Sequence, residues 1–152
     1  MEKTTGTLTS ILRKTSPKDI DHFLEENRDS MITDENPFAY YMRNAIKRKG
    51  LTQQEVFNVA DISESYGYKL ISGEKHTKQR DIILRLCIGS HLDLDETQQA
   101  LQLYGFSALY PRIQRDALLI VQILHANHDI YSINSYLEEY GVEPLQNTAA
   151  EK

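Results

Sequence analysis

The chain has 152 residues, of which 40% are hydrophobic and 26% charged, and its formal net charge is −5. This length and composition suit a globular protein of one domain or two very small ones. No window approaches the roughly 18 apolar residues of a membrane span, and residues 1–14 lack the apolar core of a secretory signal, so we expect a cytoplasmic protein that contacts no membrane.

The first 36 residues predict a flexible beginning, rich in threonine and serine, followed by one short helix. Ser16 and Pro17 are typical of a helix start, because proline is tolerated in the first turn and serine can cap the free amides. A narrow apolar face then recurs at helical spacing. We expect this helix to end by Ser30.

Five helices are predicted between Pro37 and Gly105, each with apolar residues on one face. Their boundaries are indicated by prolines, glycines and polar residues that cap helix ends. The boundary residues are Asn36 with Pro37, Gly50, Thr52 with Glu55, Asp61, Ser63, Gly73, Lys78, Ile88, Asp93 with Glu96, and Gly105.

Two more helices are predicted before the chain reaches a tail that we expect to be disordered. The first begins at Pro111 and ends near Asn127, and the second is capped by Ser132 and closed by Gly141. Their apolar faces either complete the core or form a dimer interface. The predicted parts are residues 1–36, 37–105, 106–145 and 146–152 of an all-α protein.

The stretch from Leu51 to Gly73 contains two short helices, a three-residue turn and one apolar seam, which together describe a helix-turn-helix. It resembles the helix-turn-helix of the phage repressor and Cro-like (XRE-type) family, of the small Gram-positive bacterial kind. The matches are Leu-Thr-Gln at Leu51–Gln53, the Ile-Ser pair at Ile62–Ser63, and the exit from the second helix at Gly73–Lys75.

The resemblance covers residues 38–104 and implies a five-helix core that binds double-stranded DNA as a homodimer. In that family the third helix lies in the major groove, and its first side chains reach base edges. The base-reading positions that the resemblance implies are Ser63, Glu64, Ser65, Tyr66, Tyr68 and Lys69. The side chains expected near backbone phosphates are Gln53, Arg43, Lys47, Lys75, Lys78 and Arg80.

The charge distribution favours the same segment. Residues 38–90 carry nine basic and five acidic side chains, a net charge of +4. Residues 1–37 carry five basic and eight acidic side chains, and residues 91–152 carry three and nine. The segment with the predicted helix-turn-helix is therefore the positive one, which suits a phosphate-facing surface. A solvated face without a partner is the alternative.

Four residues depart from the family pattern. Phe57 replaces a usual alanine, Asp61 replaces the turn glycine, and Gly67 replaces an aliphatic core residue, so we expect a softened helix and a lost packing contact. Glu64 places a negative charge on the presumed DNA face. These changes are also compatible with an alternative interpretation, in which the helix-turn-helix binds a protein instead of DNA.

In that alternative the chain is a non-enzymatic adaptor regulated by phosphorylation. Small helix-turn-helix proteins of this kind include some associated with Ser/Thr kinase signalling, and a phosphoryl group on Thr7 or Thr9 would add about −1.5 to −2 charge. That negative charge could then bind the basic side chains of residues 38–90. An unmodified flexible tail is the simpler interpretation of the same residues.

No motif for catalysis, cofactor binding or metal binding is found, so we expect no enzymatic activity, no cofactor and no metal. His125 and His128 are three residues apart, but no further ligand completes a metal site, and surface histidines explain them. Cys87 is the single cysteine, which excludes a disulfide within the chain. It lies in an apolar run and is expected to be a buried, inert thiol.

Overall fold

The structure is a computed structural model that describes residues 3–32 and 36–147. These residues form nine α-helices and no β-strand, which confirms the all-α prediction for the described part of the chain. The chain divides into two compact units, Met1–Glu35 and Asn36–Lys152. The helices are α1 (Thr5–Arg13), α2 (Ile20–Glu26), α3 (Pro37–Arg48), α4 (Gln53–Ala60), α5 (Glu64–Ser72), α6 (Arg80–Gly89), α7 (Leu94–Tyr104), α8 (Gln114–Leu124) and α9 (Ile130–Glu139).

The start of the first unit, where we predicted a flexible segment, contains helix α1. Thr4 caps α1, because its hydroxyl oxygen accepts a hydrogen bond from the Thr7 amide at 3.1 Å. The predicted start at Ser16 and Pro17 gives only a short 3₁₀ turn ahead of α2. The Ser16 hydroxyl bonds to the Asp19 carboxylate at 2.7 Å and caps no amide.

Helices α3 to α7 begin and end close to the predicted residues and contain most of the apolar core of the second unit. Helix α6 is central, since every residue from Ile82 to Gly89 is buried. Gly89 allows α6 to approach α4, because a Cβ atom there would lie 2.6 Å from the Val56 carbonyl oxygen. Burial also raises the pKa of the Cys87 thiol, as an inert core cysteine requires.

The last two helices differ from the prediction at their starts. Helix α8 begins at Gln114, after a turn that contains Pro111. Asp129 caps α9, accepting a hydrogen bond from the Tyr131 amide at 3.0 Å, whereas the predicted cap Ser132 lies inside the helix. An aspartate side chain is as good an N-cap as serine, and the earlier of the two candidates is used.

The segment after α9 is ordered as far as Asn147, where we predicted disorder from Gln146 onward. Its backbone is bonded to side chains of other elements, so it needs no helix or strand to satisfy its polar groups. The remaining predicted tail, residues 148–152, lies outside the described residues. Within residues 3–32 and 36–147, no helix has the length and apolar character needed to cross a bilayer.

Candidate nucleic-acid interface

Helices α4 and α5 are joined by a three-residue turn whose geometry follows from its sequence. Asp61 ends α4 in the left-handed conformation (φ 57°, ψ 50°), which aspartate tolerates better than most residues. Thr52 caps α4 by accepting from the Glu55 amide at 3.1 Å, and Ser63 caps α5 by accepting from the Tyr66 amide at 3.3 Å. The predicted caps and turn are therefore present.

Phe57 and Gly67 compensate for each other across this pair of helices. Both residues are buried, and a Cβ atom on Gly67 would lie 2.4 Å from Cδ1 of the Phe57 ring. The ring therefore occupies the space that a side chain at position 67 would need. Our expectation of a lost packing contact is wrong, because a large residue on α4 replaces the missing one on α5 at similar total volume.

A shallow groove of about 460 Å³ runs beside α5. It brings together side chains from α3, α4 and α5, and five of them are among those that we predicted to contact DNA. We call this surface the interface groove. Its lining residues are Arg43, Gln53, Ser65, Tyr68, Lys69, Ile71, Ser72 and Glu74.

The outer face of α5 is polar, and its members differ in accessibility. Ser63, Glu64, Ser65 and Tyr68 are exposed, with Tyr68 45% exposed and its ring edge-on to Phe57 at 5.0 Å. Three predicted contacts are partly buried, namely the base readers Tyr66 and Lys69 and the phosphate contact Gln53. Of these, Tyr66 packs against the hydrophobic core.

The predicted phosphate contacts separate into exposed and anchored side chains. Lys47, Lys75 and Lys78 are exposed, and the Lys75 ammonium lies 5.7 Å from the centre of the Tyr66 ring. Arg43 is anchored at the groove, because its Nη1 donates to the Ile71 carbonyl oxygen at 3.0 Å.

Arg80, a predicted phosphate contact, is paired with a carboxylate in the structure. Its two terminal nitrogens bond to both oxygens of the Asp116 carboxylate at 2.5 and 3.3 Å, and that carboxylate is buried. Since the bidentate pair orients the guanidinium toward α8, Arg80 holds two helices together. The prediction depended on its closeness in sequence to Lys75 and Lys78.

The basic loop after α5 is held by an aromatic residue that our sequence analysis did not select. The Tyr104 hydroxyl accepts a hydrogen bond from the Thr77 amide at 2.6 Å, and the His76 ring stacks on the Tyr104 ring at 4.4 Å. The same loop carries the exposed Lys75 and Lys78. Because Tyr104 lies 27 residues beyond Thr77, no local pattern could have indicated this contact.

A second missed feature joins α6 and α8. The tripeptide Gln-Arg-Asp occurs at residues 79–81 and again at residues 114–116. The arginine of each copy pairs with the aspartate of the other, because Arg115 bonds to Asp81 at 2.8 and 3.0 Å just as Arg80 bonds to Asp116. We call these two pairs the Arg–Asp clamp. The repeated tripeptide was the available sequence signal.

An acidic depression is lined by other residues of α4, its N-cap and the start of α5. Its volume is about 560 Å³, and Glu55 and Glu64 contribute its charge. No cation is among the residues that line it, which are Thr52, Gln54, Glu55, Asn58 and Glu64. Phosphate groups are repelled from such a surface.

The histidines do not form a metal site within the described residues. No group of three or more potential ligands is found there. His125 is exposed, whereas His128 is partly buried and stacks on His91 at 4.1 Å between ring centres. Burial, followed by the neighbouring His91, lowers the pKa of His128, which makes its charged form unfavourable.

Thr7 and Thr9 are exposed on α1, and Thr7 lies in the first helical turn.

A scan against protein-family models gave no match, and searches of curated proteins and of solved structures found no significant similarity. The resemblance to repressor-like proteins consequently depends on the motif between Leu51 and Lys75 and on its surroundings.

Proposed function

We propose that this protein is a DNA-binding transcriptional regulator with a repressor-like helix-turn-helix, in which α5 enters the major groove of double-stranded DNA. The observation that carries the proposal is the interface groove, where Gln53 from the start of α4 lies beside Ser65, Tyr68 and Lys69 of α5. Phosphate-positioning and base-reading side chains must share one surface in such a protein.

The dimensions of α5 are compatible with this role. A nine-residue helix is about 13 Å long and, with side chains, about 10–12 Å across, and the major groove is about 12 Å wide. Its exposed hydroxyls can donate to base acceptors, and Lys69 can bond to guanine or to a phosphate. The exposed lysines of the loop and of α3 are the proposed flanking phosphate contacts.

Such regulators pair across two half-sites, so the proposed active form is a homodimer. A cytoplasmic location and the absence of enzymatic activity belong to the same proposal. The operator sequence would be read by few hydrogen bonds, since Ser65, Tyr68 and Lys69 are the base readers on α5 that line the interface groove.

Selection from a random duplex pool tests the proposal directly. We expect enrichment of one sequence at low salt and an affinity that falls steeply as the salt concentration rises. Lys69→Glu and Lys75→Glu should each weaken binding at least roughly tenfold and reduce the salt slope by about 1–2. Arg112→Glu is the matched control, because Arg112 is exposed and does not line the groove. Absence of enrichment at low salt would reject the proposal.

The acidic depression favours a second candidate, a protein-interaction adaptor on the same scaffold. Glu64 distinguishes the two, since it lies on the start of α5 and is exposed. If α5 contacts DNA, Glu64→Gln should tighten DNA binding several-fold because a like charge is removed. If α5 contacts an electropositive protein instead, the same change should leave DNA binding unaltered.

The adaptor would be regulated by a Ser/Thr kinase acting on Thr7 or Thr9. Both residues are exposed, as modification requires. Mass spectrometry of the native protein tests this part of the proposal, with Thr7→Ala and Thr9→Ala variants to assign the position.

A further inference from the structure

The segment after α9 lies in a trough lined by two arginine side chains. Arg115 donates hydrogen bonds to the first two carbonyl oxygens of residues 143–146, at 2.9 and 3.1 Å. Arg85 donates to the last two, at 2.7 and 2.6 Å. Four consecutive backbone carbonyls are therefore each bonded to a guanidinium group.

The backbone amides of the same segment are also bonded to side chains. The Leu145 amide donates to the Asn134 side-chain oxygen at 2.7 Å, and the Gln146 amide donates to the Asp81 carboxylate at 3.0 Å. The Leu145 side chain itself is buried, with 3% of its surface exposed. Contacts to the main chain together with one apolar pocket are the features by which proteins bind extended peptides.

The two arginines that line the trough also have hydrogen-bond partners outside the segment. Arg85 is itself only 3% exposed, and its Nη1 also donates to the Ala60 carbonyl oxygen at 3.0 Å. The Arg–Asp clamp orients Arg115, since both of its terminal nitrogens bond to Asp81. Arg85 thus has one hydrogen bond and Arg115 two that do not involve residues 143–146, and these contacts orient both groups toward an incoming peptide.

The segment is held by hydrogen bonds to side chains and by one buried side chain, without helical or strand hydrogen bonds of its own. Residues 142–147 contain no helix or strand, and Leu145 is the buried apolar side chain among them. Ordering several residues opposes that burial, because each residue loses backbone freedom. Gly141, in the left-handed conformation (φ 72°), separates the segment from α9 and provides a hinge.

We propose that the trough is a peptide-binding site, filled in cis by residues 143–146, that accepts the same segment from a second copy of this chain. The second copy is the occupant because its sequence has the required leucine and the required spacing of backbone groups. Reciprocal exchange of the two segments gives a two-fold dimer without any new interface chemistry. This proposal does not depend on DNA binding.

A full-length Leu145→Asp variant tests the exchange, since a buried carboxylate should release the segment from its own trough. The probe is a synthetic peptide of residues 142–147, acetylated and labelled, followed by fluorescence anisotropy. We expect the variant to bind this peptide at least tenfold more tightly than the unmodified chain, in which the cis segment competes. A peptide with aspartate in place of leucine should bind at least tenfold more weakly.

Equal binding by both chains, or no binding by a variant with the unmodified circular dichroism spectrum, would overturn the proposal. A variant that fails to fold would overturn it too, because the segment would then be an inseparable part of the core. Hydrogen exchange on the unmodified chain gives a second measurement. The Leu145 and Gln146 amides should exchange at least 100-fold faster than those in the middle of α6, and equal protection would contradict local release.

Discussion

Two regions of the second unit are stabilised in different ways. The α4–α5 pair depends on apolar packing between Phe57 and Gly67 and on caps that bond to amides three residues away. The junction of α6, α8 and the segment after α9 depends on buried or half-buried charges, whose partners lie 25 to 61 residues away in sequence. One region is organised by neighbours along the chain, and the other is organised by distant ones.

This difference determines what each region tolerates. Apolar contacts are non-directional, so a large residue can move from one helix to the other when the total volume is conserved. Buried guanidinium and carboxylate groups need partners at fixed positions, because a charge or carbonyl left alone in the interior is costly. The first region should therefore be repairable by a second substitution, whereas the junction should not.

The largest expected effect is at Phe57. Phe57→Ala should lower the free energy of unfolding by about 3–5 kcal/mol, because it leaves a cavity above Gly67. Adding Gly67→Leu should recover a large part of that loss, whereas Gly67→Leu alone should be destabilising because the ring blocks its space. Urea denaturation of the four chains measures the coupling, and additive effects would contradict the compensation.

The second expected effect is at Arg85. Arg85→Met should lower the free energy of unfolding by about 3 kcal/mol, because the carbonyl groups of Ala60 and Leu145 would each lose a donor. Arg85→Lys should recover little, since an ammonium group cannot span the positions that three guanidinium nitrogens reach. In the same denaturation experiment, the exposed Arg112→Met control should stay within about 0.5 kcal/mol of the unmodified chain.

The smallest effect, and the only gain, is expected at Asp61. Asp61→Gly should raise the free energy of unfolding by about 0.5–1 kcal/mol, because glycine has no Cβ to oppose the left-handed conformation. For a protein of this size the gain corresponds to a melting temperature about 2 °C higher. Asp61→Asn is the control, since asparagine also tolerates this conformation; a lower melting temperature for the glycine variant would show that the Asp61 side chain contributes more than the strain costs.

The sequence predicted those features that depend on short spacings. Each of the caps Asn36, Thr52, Ser63 and Asp93 accepts a hydrogen bond from the amide three residues later, so the start of each helix could be predicted from a few residues. The same reasoning failed for α9, because Asp129 and Ser132 are both suitable caps and only the packing of the helix decides between them.

The sequence predicted many of the residues that line the candidate site, but it did not predict which partners they contact. The motif pointed to the helix faces that meet in the interface groove, but it could not show that Arg80 is paired with Asp116, which lies 36 residues away. The compensation between Phe57 and Gly67 was equally hidden, since the two residues belong to different helices. A large side chain on one helix that replaces a small one on the other changes neither the hydrophobic periodicity nor the charge pattern of the sequence.

The position of Arg85 has a consequence for protein synthesis. Its carbonyl partner on α4 is made first, but its partners after α9 follow 60 and 61 residues later. At about 5–20 residues per second, the ribosome needs roughly 3–12 s to add them. For several seconds, therefore, the Arg85 guanidinium group of a nascent chain lacks its two carbonyl partners after α9. Water must hydrate the unpaired N–H groups during that time. The trough can be filled in cis only after translation has passed Gln146.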